Sequence, residues 1–456
     1  MIRAIALDLG STSIKAGLLD DEGMLGNIVS QPAPPVICNN GRCESDALAY
    51  AETADQVLAE CLAQPNEKPP LGLCSQRSSF LIWERASGKP VTSFISWQDT
   101  RGAASCEELK DSENLIRKLT GLRLTPYYFA PKLRVALREH PEWRAPLERG
   151  EWLVGTLDSF LIWRWTQGAQ HVSDASMAAR TLLMNIRQEQ WSPELCALFD
   201  IPSTILPRIL PSTGMRLQLN NGLTLQASMG DQSAALIAGI TGHAEALVNL
   251  GTGGFVIRYM DENQTMQDGY LQTLVYQDSR SHLAIEGTLN SLAAALAPYP
   301  VNKCRIDDLG VDDIFCLAEP SGIGAPYFRG DIGLRFSEPV EHLPPQRIAA
   351  LLLEGILFRV ARILEDFHRS LPLDRIYLSG GLSELRSLQQ GIALCAPCAV
   401  YRLQQKETSL QGAALLAAGM APGSSRTAER IGAVNSPLPE KYQRWQVWFN
   451  SLLKAD

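Results

Sequence analysis

Three short segments of this chain gather residue types suited to phosphate and proton chemistry. Within eight residues, Asp8-Leu9-Gly10-Ser11-Thr12-Ser13-Ile14-Lys15 supplies a carboxylate, a glycine, three hydroxyls and a cation. A polyphosphate with its metal asks for those parts: backbone N–H groups and hydroxyls for its oxygens, Lys15 for charge, and Asp8 to hold Mg²⁺ directly or through water. Far downstream, Asn249-Leu250-Gly251-Thr252-Gly253 repeats the plan. Between them lies Gly230-Asp231-Gln232, where Asp231 has two jobs open to it. It suits a helix N-cap, accepting a first-turn N–H, and it suits the carboxylate that takes a substrate hydroxyl proton during phosphoryl transfer.

Apolar runs must hold these tips. Ile2, Ala4, Ile5, Ala6 and Leu7 precede the first, Ile14, Ala16, Leu18 and Leu19 follow it, and the second is flanked in the same way. Each segment reads as a β-hairpin of buried strands with a polar tip. An ordinary turn would account for one of them, but two on the same plan indicate a duplicated chain. Two related α/β halves are therefore expected. Residues 1–243 would carry the first phosphate motif and Asp231, and residues 244–456 the second motif.

Between the tips, residues 45–62 suggest an amphipathic helix and residues 71–75 a strand that stops at Gln76-Arg77-Ser78-Ser79. Another run, 94–97, ends in Gln98-Asp99-Thr100-Arg101. Ligands in open α/β sheets gather at strand ends, so Arg77 and Trp97 fall where a substrate would be met. A surface ion pair for Arg77 and a core position for Trp97 are the more ordinary fates. Residues 105–210 are expected to be largely helical, with Pro126-Tyr127-Tyr128-Phe129 at one break, either as a packed loop or as a pocket wall. A helix is expected from 289 to 296 and a long one over 348–370. A strand at 375–378 then leads into Gly380-Gly381 and a further helix, a natural seat for a nucleotide because free N–H groups at a helix start favour anionic oxygens.

Composition narrows the function classes. With 456 residues and 45 % apolar content, the chain can form two full cores. Its net charge of −8, without a basic cluster, argues against a nucleic-acid partner. No run approaches the length of a membrane span, so no membrane insertion and a cytoplasmic location are expected. Ten cysteines are too scattered for a disulfide scaffold and are expected to be mostly core thiols. Cys395-Ala396-Pro397-Cys398 has zinc or redox spacing, but Cys38 with Cys43 does not supply the second pair a structural zinc would want. The assembly considered is a homodimer.

In this order the motifs resemble the FGGY family of carbohydrate kinases, its glycerol kinase branch most closely, over essentially the full length. The resemblance implies an α/β fold of two actin-like (RNase H-like) ATPase domains, with an interdomain cleft that closes over ATP·Mg²⁺ and a polyol or sugar. It implies that Gly10, Ser11, Thr12 and Lys15 meet the nucleotide's phosphates with Asp8 at the metal. Arg77, Trp97, Tyr127 and Gln232 would orient the substrate, and Asp231 would be the base. Gly251, Thr252 and Gly253 match the second phosphate motif, and Gly380 and Gly381 the adenosine motif. The departures are Ser78 where the glycerol kinase pattern has Glu, Ala293 where it has a nucleotide-contacting Gly, Glu384 and Leu385 in place of the usual Asn, and Val135 for a signature Trp. The expected activity is transfer of the γ-phosphoryl group of ATP to a hydroxyl of a small polyol or sugar, the loss of Glu at 78 leaving room for one larger than glycerol. A non-catalytic sugar-sensing pseudokinase is the alternative. An actin- or chaperone-like ATPase would have no use for Arg77, Trp97 and Tyr127.

Overall fold

Ile5, Leu7 and Leu9 are fully buried, and so are Ile14 and Ala16. Both arms of the first hairpin therefore lie inside a sheet, β1 (Ile2–Leu9) antiparallel to β2 (Ser13–Asp20) with Asp8 opposite Lys15. The computed structural model describes residues 1–63, 68–261, 268–432 and 434–454. It divides into two compact units: Met1–Ala238 with Gln272–Leu283 and Glu407–Ser425, and Gly239–Leu271 with Ala284–Lys406 and Arg426–Asp456.

In the first unit, β3 (Leu25–Pro32) extends the sheet beyond β2, while β6 (Leu71–Ser75) lies parallel to β1 on the other side. Beyond β6 come β11 (Thr224–Gly230), also parallel, and the antiparallel edge strand β10 (Thr213–Gln218). Helix α1 (Ala47–Cys61), N-capped by the Asp46 carboxylate, buries Tyr50, Ala54, Val57 and Leu58 against this sheet. Helix α6 (Thr408–Ala417) packs on it too, so closely that a Cβ on Gly72 would sit 2.2 Å from the Ala413 carbonyl oxygen. That approach is what ties the late segment 407–425 to the first unit.

A second sheet in this unit has the order β4-β5-β8-β7-β9, formed by Ile37–Asn39, Arg42–Ser45, Phe94–Ile95, Phe80–Glu84 and Trp152–Thr156. Cys38 and Cys43, paired across β4 and β5, are joined by a disulfide, so this pair departs from the expectation of core thiols. Cys395 and Cys398 are free, and among the described residues no group of three or more His, Cys, Asp or Glu could hold a metal. The stretch 105–210 is not as helical as its composition suggests. Besides short helices it holds β9 and the short strands Val172–Asp174, Met184–Asn185, Gln190–Trp191 and Arg208–Leu210. Pairing with distant partners overrides local propensity there.

The second unit repeats the hairpin with β12 (Glu245–Leu250) and β13 (Gly254–Tyr259), Leu250 opposite Gly254. β14 (Ser281–Leu289) flanks β13, and β15 (Arg375–Ser379) lies parallel to β12, followed by β16 (Ala399–Leu403) and β17 (Ala428–Arg430). The long helix α4 (Pro345–Ser370) buries Leu352, Leu353, Ile356, Val360, Ile363 and Phe367 in the core of this unit. The helix expected from residue 289 begins later, at Leu292–Leu296, after Ser291 takes the left-handed φ of 55°. Among the described residues no helix is long and apolar enough to cross a membrane.

Candidate active site

β1, β6 and β11 run parallel with Leu9, Ser75 and Gly230 in register, so the residues that follow each strand leave the same edge of one sheet. Three sequence motifs far apart in the chain are thereby gathered: Gly10 to Thr12, Gln76-Arg77, and Asp231-Gln232. Tyr50 of α1 donates to the Gly10 carbonyl at 2.6 Å, and the Gln76 N–H bonds the Leu9 carbonyl at 3.0 Å. The hairpin tip is thus held from below. A Cβ at Gly10 would lie 2.7 Å from the Ser13 carbonyl oxygen, which requires glycine there.

Asp8 lies one residue before the end of β1. Its Oδ1 is buried and has no hydrogen-bond partner. Burial, and next the charge of Asp231, push its carboxyl up to about 7, against a hydrogen bond from Cys74 and the charge of Lys15. An orphaned carboxylate oxygen facing a second carboxylate suits a hard divalent cation that keeps most of its waters. Lys15 is not a bare cation for phosphates, because its ammonium is 2.6 Å from Glu407, which enters the first unit at the start of α6. Ser11 is half-buried and Thr12 exposed at the tip.

Asp231 is the first residue of helix α3 (Asp231–Gly239), and its Oδ1 accepts the Gln232 N–H at 2.7 Å. The cap geometry and the exposure needed for chemistry coexist, since a third of the side chain remains open. Burial raises its carboxyl, opposed by Arg77 and by Arg180. Arg77 is placed by two contacts: its Nε is 3.6 Å from Asp231 Oδ1, and its guanidinium donates to Gln232 Oε1. Gly230 makes room for it, because a Cβ there would come within 2.8 Å of the Arg77 side chain.

Ser78 follows at φ 65°, buried, its hydroxyl donating to the Arg180 carbonyl at 3.1 Å. Trp97 is tied to the same loop, since its N–H donates to Ser79 Oγ at 2.8 Å while its indole stays 38 % exposed. Tyr127 is 49 % exposed at the entrance to α2 (Phe129–Glu139), next to Tyr128, whose ring lies under the Arg180 guanidinium at 5.6 Å. Sequence reasoning missed Tyr50, Arg180 and Lys132. A charged residue between the apolar positions of α2 was the available signal for Lys132, and a tyrosine on the sheet-facing stripe of α1 the signal for Tyr50.

In the second unit, Asn249 lies beside Ser379 and just before the Gly251-Thr252-Gly253 tip. Gly251 has nothing within 4 Å of a Cβ position, Thr252 is exposed, and the Thr252 carbonyl accepts the Ala293 N–H at 3.1 Å. Gly380 takes φ 87°, and a Cβ on it would meet the Leu250 carbonyl at 2.4 Å. Gly381 is open. A short 3₁₀ turn, Gly381–Glu384, separates the double glycine from helix α5 (Arg386–Cys395), and Glu384 pairs with Arg402 at 3.1 Å.

Family models described as the N-terminal and C-terminal domains of the FGGY family of carbohydrate kinases match residues 3–246 and 246–421. The chain is 32 % identical to a glycerol kinase of Trichlorobacter lovleyi, over 92 % of this chain and 90 % of that one. It is 30 % identical to an apulose kinase of Pectobacterium atrosepticum, over 97 % and 96 %. In fold it is similar to the crystal structure of Plasmodium falciparum glycerol kinase with ADP, with a TM-score of 0.84 at 22 % identity over 99 % of this chain and 98 % of that one.

Proposed function

This chain belongs to the FGGY family of carbohydrate kinases, and from that premise we propose how its residues transfer the γ-phosphoryl group of ATP to a hydroxyl of a small polyol or sugar. The observation that carries the reading is the meeting of Asp8, Arg77, Asp231 and Gln232 at one sheet edge. Arg77 and Gln232 hold the substrate hydroxyls, and the indole of Trp97 and the ring of Tyr127 cover its carbons. Asp231 accepts the proton of the attacking hydroxyl as its oxygen bonds to the γ-phosphorus and the bond to ADP breaks. A carboxylate raised by burial is a better proton acceptor than one in water.

Asp8 would hold Mg²⁺, which when bound neutralises charge on the phosphate oxygens. Gly10, Ser11 and Thr12 offer donors to the nucleotide's phosphates, and Lys15 adds a charge that Glu407 partly offsets. In the second unit, Gly251, Thr252 and Gly253 take phosphate oxygens, while Gly380, Gly381 and the segment ending in Glu384 receive the adenosine, with Ala293 beside the second tip. Little covalent work falls to the protein; alignment and electrostatics supply most of the rate.

Ser78 bears on the choice of substrate. A serine whose hydroxyl is already committed to a backbone carbonyl cannot grip two sugar hydroxyls as a glutamate would. The substrate is accordingly a tetritol, pentitol or ketose rather than glycerol, in keeping with an apulose kinase among the relatives. An ADP-release screen across glycerol, erythritol, pentitols, ketopentoses including apulose, ketohexoses and aldonates tests this. The expected winner exceeds glycerol in kcat/KM by at least about tenfold. If glycerol is preferred, the reading of Ser78 fails; if no polyol or sugar stimulates ADP release while each is bound, the sensor reading replaces the enzyme.

A further inference from the structure

Lys132 lies on α2, fully buried, with its ammonium 2.8 Å from the Ser78 carbonyl oxygen and 2.8 Å from the Ser96 carbonyl oxygen. Its remaining surroundings are apolar on one side, the ring of Phe80 lying 5.8 Å away. Among the described residues Lys132 forms no salt bridge, and Asp99, whose charge acts on it, is 2.8 Å from Arg101 instead. Lysines are rarely buried without such a partner, because taking an ammonium out of water is costly. The environment shows that cost: burial brings its pKa down to about 7, with Asp99 opposing and Arg101 adding to the drop. A methionine of similar length would fill the same space without it.

What the ammonium gains is a connection. Ser78 follows Arg77 directly, and Ser96 precedes Trp97 directly, so one group holds the carbonyl one residue beyond Arg77 and the carbonyl of the peptide that leads into Trp97. Ser78 is also strained, at a positive φ that disfavours a side chain. Its carbonyl is turned inward, where it accepts from Lys132. The Trp97 N–H to Ser79 Oγ bond is a second, neutral tie between the same two loops. The chain uses both.

We infer that Lys132 is a positioning residue for the sugar: it sets the spacing between Arg77 and Trp97, the charged and apolar faces that receive the substrate, without itself touching the substrate. The inference rests on the placement of Arg77 and Trp97 at the substrate proposed above. Loss of the pin lets the two loops drift apart, which weakens sugar binding while leaving the phosphate hairpins, Asp8 and Asp231 in place.

Lys132→Met removes all donors and is one heavy atom shorter, and Lys132→Gln keeps two N–H donors without the charge. Steady-state kinetics with the best sugar from the screen, together with thermal unfolding, decide the matter. For Lys132→Met the sugar KM is expected to rise at least about tenfold, with kcat and the KM for ATP changed less than about threefold. Lys132→Gln should recover part of the lost affinity, a rescue that simple filling of the core would not produce. A folded Lys132→Met enzyme with sugar KM within about twofold of wild type overturns the inference, as does an equal rise in the KM for ATP. If Lys132→Met does not fold, Lys132→Leu, which likewise carries no donor, is held to the same criteria. Failure of the wild type to phosphorylate any sugar would instead count against the proposed function, so the two failures are told apart.

Discussion

The two glycine-tipped hairpins share a backbone plan and differ in chemistry. Asp8 faces Lys15 on one neighbouring strand and Cys74 on the other; Asn249 faces Phe255 and Ser379. Asp8 keeps a buried oxygen without a partner and a carboxyl raised to about 7, while Asn249 brings no charge and packs its Oδ1 beneath Gly380, 2.5 Å from where a Cβ would stand. The first tip is suited to a cation, the second to close approach of the backbone. The two hairpins share a plan, and the strand-end residue sets the chemistry that each tip offers.

The largest effect is expected at the carboxylate beside the first hairpin. Asp231→Asn should lower kcat by about 10²- to 10⁴-fold in an ADP-release assay. Its melting temperature should hold, because Asn caps a helix about as well as Asp. Near-normal turnover would reassign the proton acceptor.

Asp8→Asn converts the first hairpin to the chemistry of the second and should cost about 10²-fold in kcat, with a weakened response to Mg²⁺ titration. It also carries a pH signature. With the folded carboxyl at about 7 against an ordinary 3.8, the folded chain keeps a proton that the unfolded chain releases. Wild-type stability contributed by this group therefore falls as pH rises from about 4 to about 7. By calorimetry in chelator, the variant should melt above wild type at pH 8, and the gap should close toward pH 4. A gap that widens on acidification would contradict the burial of Asp8.

Next come the glycines. Gly10→Ala meets the Ser13 carbonyl at 2.7 Å and should lower both the melting temperature and activity, whereas Gly251→Ala meets nothing within 4 Å and should fold as wild type. For the latter, any loss belongs in the KM for ATP, expected at about tenfold or less. Equal destabilisation by both would erase the distinction between the tips.

The smallest effect is expected from Glu407→Gln, which frees Lys15. The pair is partly exposed, so stability should change by less than about 1 kcal/mol, while the KM for ATP falls about two- to fivefold. An unchanged KM would make Lys15 a structural cation only.

Strands β1, β2, β6 and β12 were legible because short apolar runs bounded by polar tips leave few alternatives, and α1 and α4 because their apolar stripes recur at helical spacing. The stretch 105–210 was not, since its short strands exist only through pairing, as Val172 does with Arg208 and Met184 with Trp191. Arg77, Trp97 and Asp231 were visible as candidates at strand ends, but Arg180 was silent and Lys132 showed only as a charge among apolar positions, their meaning resting on carbonyls and rings contributed by other segments.

The sequence by itself determined the two hairpins, the order of the motifs and the residue types at each tip, because these depend on local periodicity and on which side chains can donate, accept or carry charge. Only the tertiary structure decided that Asp8, Arg77 and Asp231 gather at the ends of three parallel strands of one mixed sheet, that Lys15 is shared with Glu407, and that Lys132 joins two loops. Strand register and the burial of charge depend on partners from dozens to hundreds of residues away, and no local pattern encodes them.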